Sequence, residues 1–416
     1  MFDFAKRKIC ANQLTSMMKG IAALAPTLLL TMMFTSCMSD GYTDTAAGKS
    51  DTYINLNVST PTAQTRANAP AGSTTGTSGT PGQDETSPKP REEEKIYSIR
   101  VWAFKSGTDE NAAPIGFKAE TGLNETGSHK VSMKLLRKAA GDLDNIDLFI
   151  LLNAESIGVL NDNNCNRMTR KELKVATFDS NFGINPDGSP QATTVPATGL
   201  PISRVITNIY VKDNIADNAA DAATKPVSVP LVRAVSKLHF FFARKTGKDT
   251  ESVTVTKIEV NGETLTAASP VFPEAATNAE KDTKGLKGSF NGLTYLTKNL
   301  IFGDIATDQI KPVDDPKTYI RQPGEKAQDY MDRLSYLQEG CKSYLRETDK
   351  TITGKIYFKS NEAVAERSVV FKIPDAYRNH ELVVYGYFSG EAFLDLNLQY
   401  YVANWNEKAA TDITFN

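Results

Sequence analysis

Apolar and polar residues alternate with a period of two along most of this chain, in short runs. "YINLNV" puts Ile54, Leu56 and Val58 on one face and Asn55 and Asn57 on the other, the pattern of a strand with one buried side. Strand-like runs recur in "KIYSIRVWAFKSG", "HKVSMKLLRK", "SRVITNIYVKD", "SVTVTKIEV", "TITGKIYFKS", "RSVVFKIP", "HELVVYGYFSG", "AFLDLNLQYYVANW" and "TDITFN". "NIDLFILL" is almost continuously apolar, which predicts a central strand covered on both faces. "VSVPLVRAVSKLHFFFARK" reads as one boundary strand, and Asn261-Gly262 as a hairpin turn. Helical spacing is confined to "TRKELKVATF" and "EKAQDYMDRLSYLQEGC". The rest of residues 270–350 reads as irregular and "NIADNAADAATKP" as a loop. Short strands without a fixed-period repeat predict an all-β protein with minor helices, built as two β-sandwich domains with Greek-key connections.

The first strand stands apart from the others. Residues 67–90 are Gly, Ser, Thr, Pro and charged residues with almost no large apolar side chain, so they cannot bury enough surface to offset ordering and read as a flexible linker. Ahead of the strand lies a targeting segment, residues 1–36. Lys6, Arg7, Lys8 and Lys19 precede the apolar run "IAALAPTLLLTMMF", which is shorter than the roughly 20 residues of a membrane span. That run ends in "FTSC", which resembles a bacterial lipobox and would place a lipid on Cys37.

Composition removes several function classes. A net charge of −2 and a pI near 6.1, with no basic stripe, give no reason to expect nucleic acid as a partner. Once the signal and the lipidated Cys37 are set aside, only Cys165 and Cys341 remain, which implies neither a disulfide framework nor a metal site. His129, His239 and His380 lack companions at ligand spacing and read as structural. No nucleophile elbow, phosphate loop or dinucleotide fingerprint occurs, so neither catalytic residues nor a cofactor are expected and the chain does not read as an enzyme. Asp142, Asp144 and Asp147 begin like a calcium loop, but Ile146 stands at a ligand position; a solvated turn is the better reading. Trp102, Trp405, Tyr385, Tyr387, Tyr400 and Tyr401 could line a sugar-binding surface, although aromatic residues of sandwiches more often fill cores.

Four stretches taken in order resemble the Bacteroidales fimbrillins, the pilins of type V pili: "YINLNV" closing on "TRA" behind a lipobox, "DLFILLNAES", "PLVRAVSKLHF" and "YRNHELVVYGYFSGEAFLDLNLQYYVANW". The resemblance implies transthyretin-like topology in both sandwiches, export as a lipoprotein to the outer membrane and cell surface, then cleavage by an Arg-specific surface protease. The matching bond is Arg66–Ala67, with Arg91 as a rival point. Residues 37–66 are then a propeptide whose strand, with Ile54, Leu56 and Val58, is a placeholder to be removed. The vacated groove would take a strand from another copy by β-strand addition. Two stretches alternate suitably for this: Leu394, Leu396, Leu398, Tyr400 and Val402, which read equally well as a core strand, and Ile413 with Phe415 at the end. Domains are expected at 91–230 and 231–416. The expected partners are further copies in a head-to-tail filament and accessory fimbrial subunits. A tip or anchor subunit, and a glycan-binding surface lipoprotein that never polymerises, are the alternatives.

Overall fold

In a computed structural model the described residues are 50–60, 92–137, 143–162, 165–179, 182–247, 251–273, 292–325, 327–337, 339–363, 365–373, 377–404 and 410–414. The strands, in chain order, are β1 (Ser50–Ser59), β2 (Lys95–Lys105), β3 (Gly116–Thr126), β4 (Ser128–Arg137), β5 (Asn145–Leu152), β6 (Thr177–Phe178), β7 (Ile202–Tyr210), β8 (Val227–Pro230), β9 (Val232–Arg233) and β10 (Val235–Lys245). There follow β11 (Val253–Val260), β12 (Ser269–Pro270), β13 (Leu300–Phe302), β14 (Lys311–Val313), β15 (Glu339–Arg346), β16 (Ile352–Ser360), β17 (Arg367–Ile373), β18 (His380–Ser389), β19 (Asp395–Asn404) and β20 (Ala410–Thr414). Short helices α1 (Arg170–Lys174), α2 (Ala219–Ala222) and α3 (Ala327–Leu334) lie between them.

Alternation along the strands dictates two layered cores. The sheet β4-β1-β8 faces the sheet β3-β2-β5-β7-β9. Ile54, Leu56, Val131 and Met133 from the first meet Val101, Leu148 and Ile150 from the second. In the second half, β14-β10-β18-β19-β20, with β15 also on β10, faces β13-β11-β16-β17. Here Phe240, Leu382, Val384 and Leu398 meet Val255, Ile258, Ile356 and Phe371. β5 sits in the middle of its sheet with Ile146 to Leu152 all buried, because its other face packs Phe149 and Leu151 against Trp102, Phe272 and Tyr344. That last cluster joins the halves, as does the two-stranded pairing of β6 with β12. The described residues fall within one compact unit.

Several sequence expectations change. The boundary stretch is three strands: β8 pairs with β1, β9 with β7 and β10 with β18, so a few residues pass the chain through three sheets. Pro230, which has no N–H, ends the first of them. Asn261-Gly262 is no hairpin turn. Gly262 opens a short 3-10 turn, and a Cβ there would stand 2.0 Å from the Lys298 carbonyl oxygen, so the glycine serves close packing. β3, a polar edge strand with no buried residue, carries no sequence signal; β13, β14 and β15 lie in the stretch read as irregular, and α2 lies in the stretch read as a loop.

Candidate functional site

β1 is the strand that the sequence marks out. It runs antiparallel to β4 from Ser50↔Arg137 to Ser59↔Ser128, and parallel to β8 from Leu56↔Val227 to Ser59↔Pro230. Ile54, Leu56 and Val58 are 0% exposed, the inward half of the alternation read from the sequence. Burying each such side chain is worth about 1.5–3 kcal/mol. Thr52 shares that inward face and is fully buried, with its hydroxyl donating to the Ala216 carbonyl at 2.9 Å. The same carbonyl accepts from Tyr53 N–H at 2.7 Å, and Ala216 N–H donates back to Tyr53 at 3.0 Å. On the outward face Lys134 reaches Asp51 at 2.8 Å.

Both ends of the segment 61–91 are fastened at the β3–β4 turn. Thr60 N–H donates to the Gly127 carbonyl at 2.9 Å, and Gly127 N–H donates to Glu94 at 3.2 Å. Gly127 has φ 82°, a left-handed conformation that favours glycine. Beside this turn His129, the cross-strand partner of Val58, is held between Glu120 and Glu125, each at 2.7 Å. Burial opposes the charged imidazolium, but the two carboxylates more than offset it and raise the His129 pKa.

Just after the segment, Glu93 ties the chain to the second half. It contacts Lys237 at 3.0 Å and accepts from the Tyr344 hydroxyl at 2.7 Å. Lys237 also reaches Glu381 at 3.2 Å, with His239 3.3 Å from the same carboxylate. Burial works against the Glu381 carboxylate, yet Lys237 and His239 hold its pKa down at about 2. Burial likewise works against the Lys237 ammonium, while Glu381 and Glu93 hold its pKa up at about 12. Deeper in the seam, Arg378 and Glu347 form a fully buried pair, and Arg378 also donates to Ser203 Oγ at 3.1 Å and the Val271 carbonyl at 3.2 Å.

The other sequence-predicted residues fall as follows. Cys37, Arg66, Ala67, Arg91, Asp142, Trp405 and Phe415 lie outside the described residues. Leu396, Leu398 and Tyr400 are buried in β19, between β18 and β20, with Val402 farther along it; Leu394 belongs to the preceding turn. Ile413 lies on β20, the last strand of that sheet. Trp102, Tyr385, Tyr400 and Tyr401 are core residues and Tyr387 is nearly so, which removes them as a sugar-binding face; Trp102 spends its indole N–H on the Cys165 carbonyl at 2.6 Å. Asp147 is no calcium ligand but the buried partner of Arg170 at 2.7 Å, and Asp144 uses its carbonyl to accept from Val211 N–H. Cys165 is buried and Cys341 partly buried. Among the described residues no group of three His, Cys, Asp or Glu could hold a metal ion. Sequence reasoning missed Ala216, Gly127 and the carboxylates around His129, because each meets its partner only through sheet pairing.

No protein-family model matches the chain, and no curated protein matches it. Among solved structures it is similar to the tip fimbrial protein Mfa3 from Porphyromonas gingivalis, with 12% identity over 85% of this chain and 100% of that one, at a TM-score of 0.45. A protein named for cell adhesion from Parabacteroides distasonis is 13% identical over 85% of this chain and 96% of its own, at a TM-score of 0.47. A fimbrial assembly protein from the same organism is 12% identical, covering 87% and 100%, at a TM-score of 0.41. These solved structures are fimbrial and cell-adhesion proteins.

Proposed function

We propose that this chain is a non-catalytic structural subunit of a surface fimbria, a stalk pilin exported as a lipoprotein. In this reading Cys37 carries the lipid, an Arg-specific protease cuts Arg66–Ala67, and β1 leaves with the anchor. The halves divided at 230/231 act as N-terminal and C-terminal sandwich domains. The vacated groove is completed by a strand from another copy, and repetition of this head-to-tail contact builds an open filament.

The observation that supports it best is the state of β1. The apolar face of β1 lies fully buried against the core while the strand pairs with β4 and β8, and residues 61–91 are its only covalent link to the chain that follows. Its loss would expose apolar surface and unpaired N–H and C=O groups along β4 and β8, a template for another strand. β20 is the better donor on this reading, since it ends its sheet, whereas taking β19 would open the second core.

The test is the N-terminal residue of protein recovered from cell surfaces. Ala67 is expected, and a lipid-bearing Cys37 on assembled subunits would sink the proposal. Arg66→Ala is expected to accumulate as membrane-bound monomer. Filaments formed by that variant with β1 still attached would show that strand removal is not the trigger.

A further inference from the structure

The groove beneath β1 does more than accept any apolar strand. Its inward positions run Thr52, Ile54, Leu56, Val58, and the first is not an apolar pocket. There a buried hydroxyl donates to the Ala216 carbonyl, 164 residues away along the chain. Outside, Tyr53 stands directly opposite Lys134. A strand entering with the direction of β1 is therefore read at three kinds of position. These are a hydroxyl at 52, aliphatic or large apolar side chains from 54 onward, and an acidic side chain wherever it can meet Lys134.

The end of this chain carries that pattern. Thr411, Ile413 and Phe415 alternate with Asp412 and Thr414, and "TDITF" superimposes on "TYINL", Thr52–Leu56. In this register Thr411 takes the place of Thr52, Ile413 that of Ile54 and Phe415 that of Leu56. Asp412 takes the place of Tyr53, opposite Lys134. A shift of two residues in one direction puts the Thr411 hydroxyl at the wholly apolar Ile54 position and Asp412 opposite Ser132. A shift of two in the other direction puts Asp412 in the place of Asp51, still within reach of Lys134, but sets the apolar Ile413 against the Ala216 carbonyl, which loses its hydroxyl donor. A slip of one residue turns every inward side chain outward. Only one register satisfies hydroxyl, apolar and charged positions together.

We propose that the Ala216 carbonyl and Lys134 form a register-setting subsite, which selects the Thr411-Asp412-Ile413 segment of a second copy in the frame that β1 occupies at Thr52-Tyr53-Ile54. This rests on the reading of β1 as a removable strand. It adds what that reading leaves open, namely which residues of the incoming strand are recognised and by what.

The test uses the full chain, cut with an Arg-specific endoprotease in the presence of fluorescent peptides. One peptide carries residues 50–59, the chain's own strand, and the other residues 410–416. Both are expected to be captured. In the second peptide Thr411→Val is expected to weaken capture about fivefold, the value of one hydrogen bond. Lys134→Glu in the protein is expected to weaken capture of the unaltered peptide by a few-fold, and Asp412→Lys in the peptide to restore it. Capture indifferent to the charge swap and to Thr411→Val overturns the proposed subsite. If residues 50–59 are captured and residues 410–416 are not, the donor lies elsewhere and this inference fails while the removable-strand reading stands. If neither is captured, the removable-strand reading fails as well.

Discussion

Leu56 belongs to a strand that the proposed maturation discards, and that separates two effects of one substitution. Leu56→Ala removes a fully buried side chain and should cost the uncut protein about 2–5 kcal/mol, read as a lowered midpoint in denaturant. After cleavage and loss of β1 the same variant should unfold like wild type; a persisting difference would mean that the strand stays. His129 offers a second handle. Its folded pKa is raised above the ordinary value of about 6.5, so the clamp with Glu120 and Glu125 contributes fully below that value. The contribution is lost as pH rises through the folded pKa. The stability difference between wild type and His129→Gln should therefore shrink from pH 5 to pH 9, and a constant difference would refute the charged clamp. Glu381 behaves oppositely. Its lowered pKa means a contribution present above about 4.5 and lost as pH falls through about 2.

At the scale of elements, the sequence was most readable where burial follows period. β1, β2, β5, β11, β16 and β18 are each announced by alternation or by a continuous apolar run. What stayed hidden depends on partners rather than pattern. β3 is an exposed, polar edge strand, held by its ladder with β2, so nothing in its own residues marks it. The boundary stretch reads as one strand because a change of sheet leaves no trace in hydrophobicity. Gly262 misleads for a related reason: Asn-Gly suggests a turn, while the constraint is the Lys298 carbonyl approaching from a distant segment. Gly262→Ala should destabilise by about 1–3 kcal/mol through that clash, measured by thermal melting, and an unchanged midpoint would contradict the close approach. For the candidate site, the inward face of β1 was legible but the atoms that read it were not.

For the whole molecule, the buried pair Arg378–Glu347 links β7 and the β12 region to the second sandwich. Glu347→Ala leaves the Arg378 guanidinium buried with neutral partners alone, the Ser203 hydroxyl and backbone carbonyls, and should cost about 3–5 kcal/mol. Calorimetry should then resolve the two halves as separate transitions; one unshifted transition would show that the seam is not what couples them. The clasp at Gly127 has a different consequence. With Thr60 and Glu94 both hydrogen-bonded to Gly127, the intact chain keeps β1 beside its groove through the covalent segment that runs between them. Such a link gives a strand an effective concentration on the order of millimolar, so it returns after any transient opening. A single cut within residues 61–91 breaks no contact in the sheet, yet it turns this unimolecular return into a bimolecular one. β1 then competes with every other strand in the surroundings on affinity and dilution alone, and a dense array of neighbouring copies is the setting in which it loses.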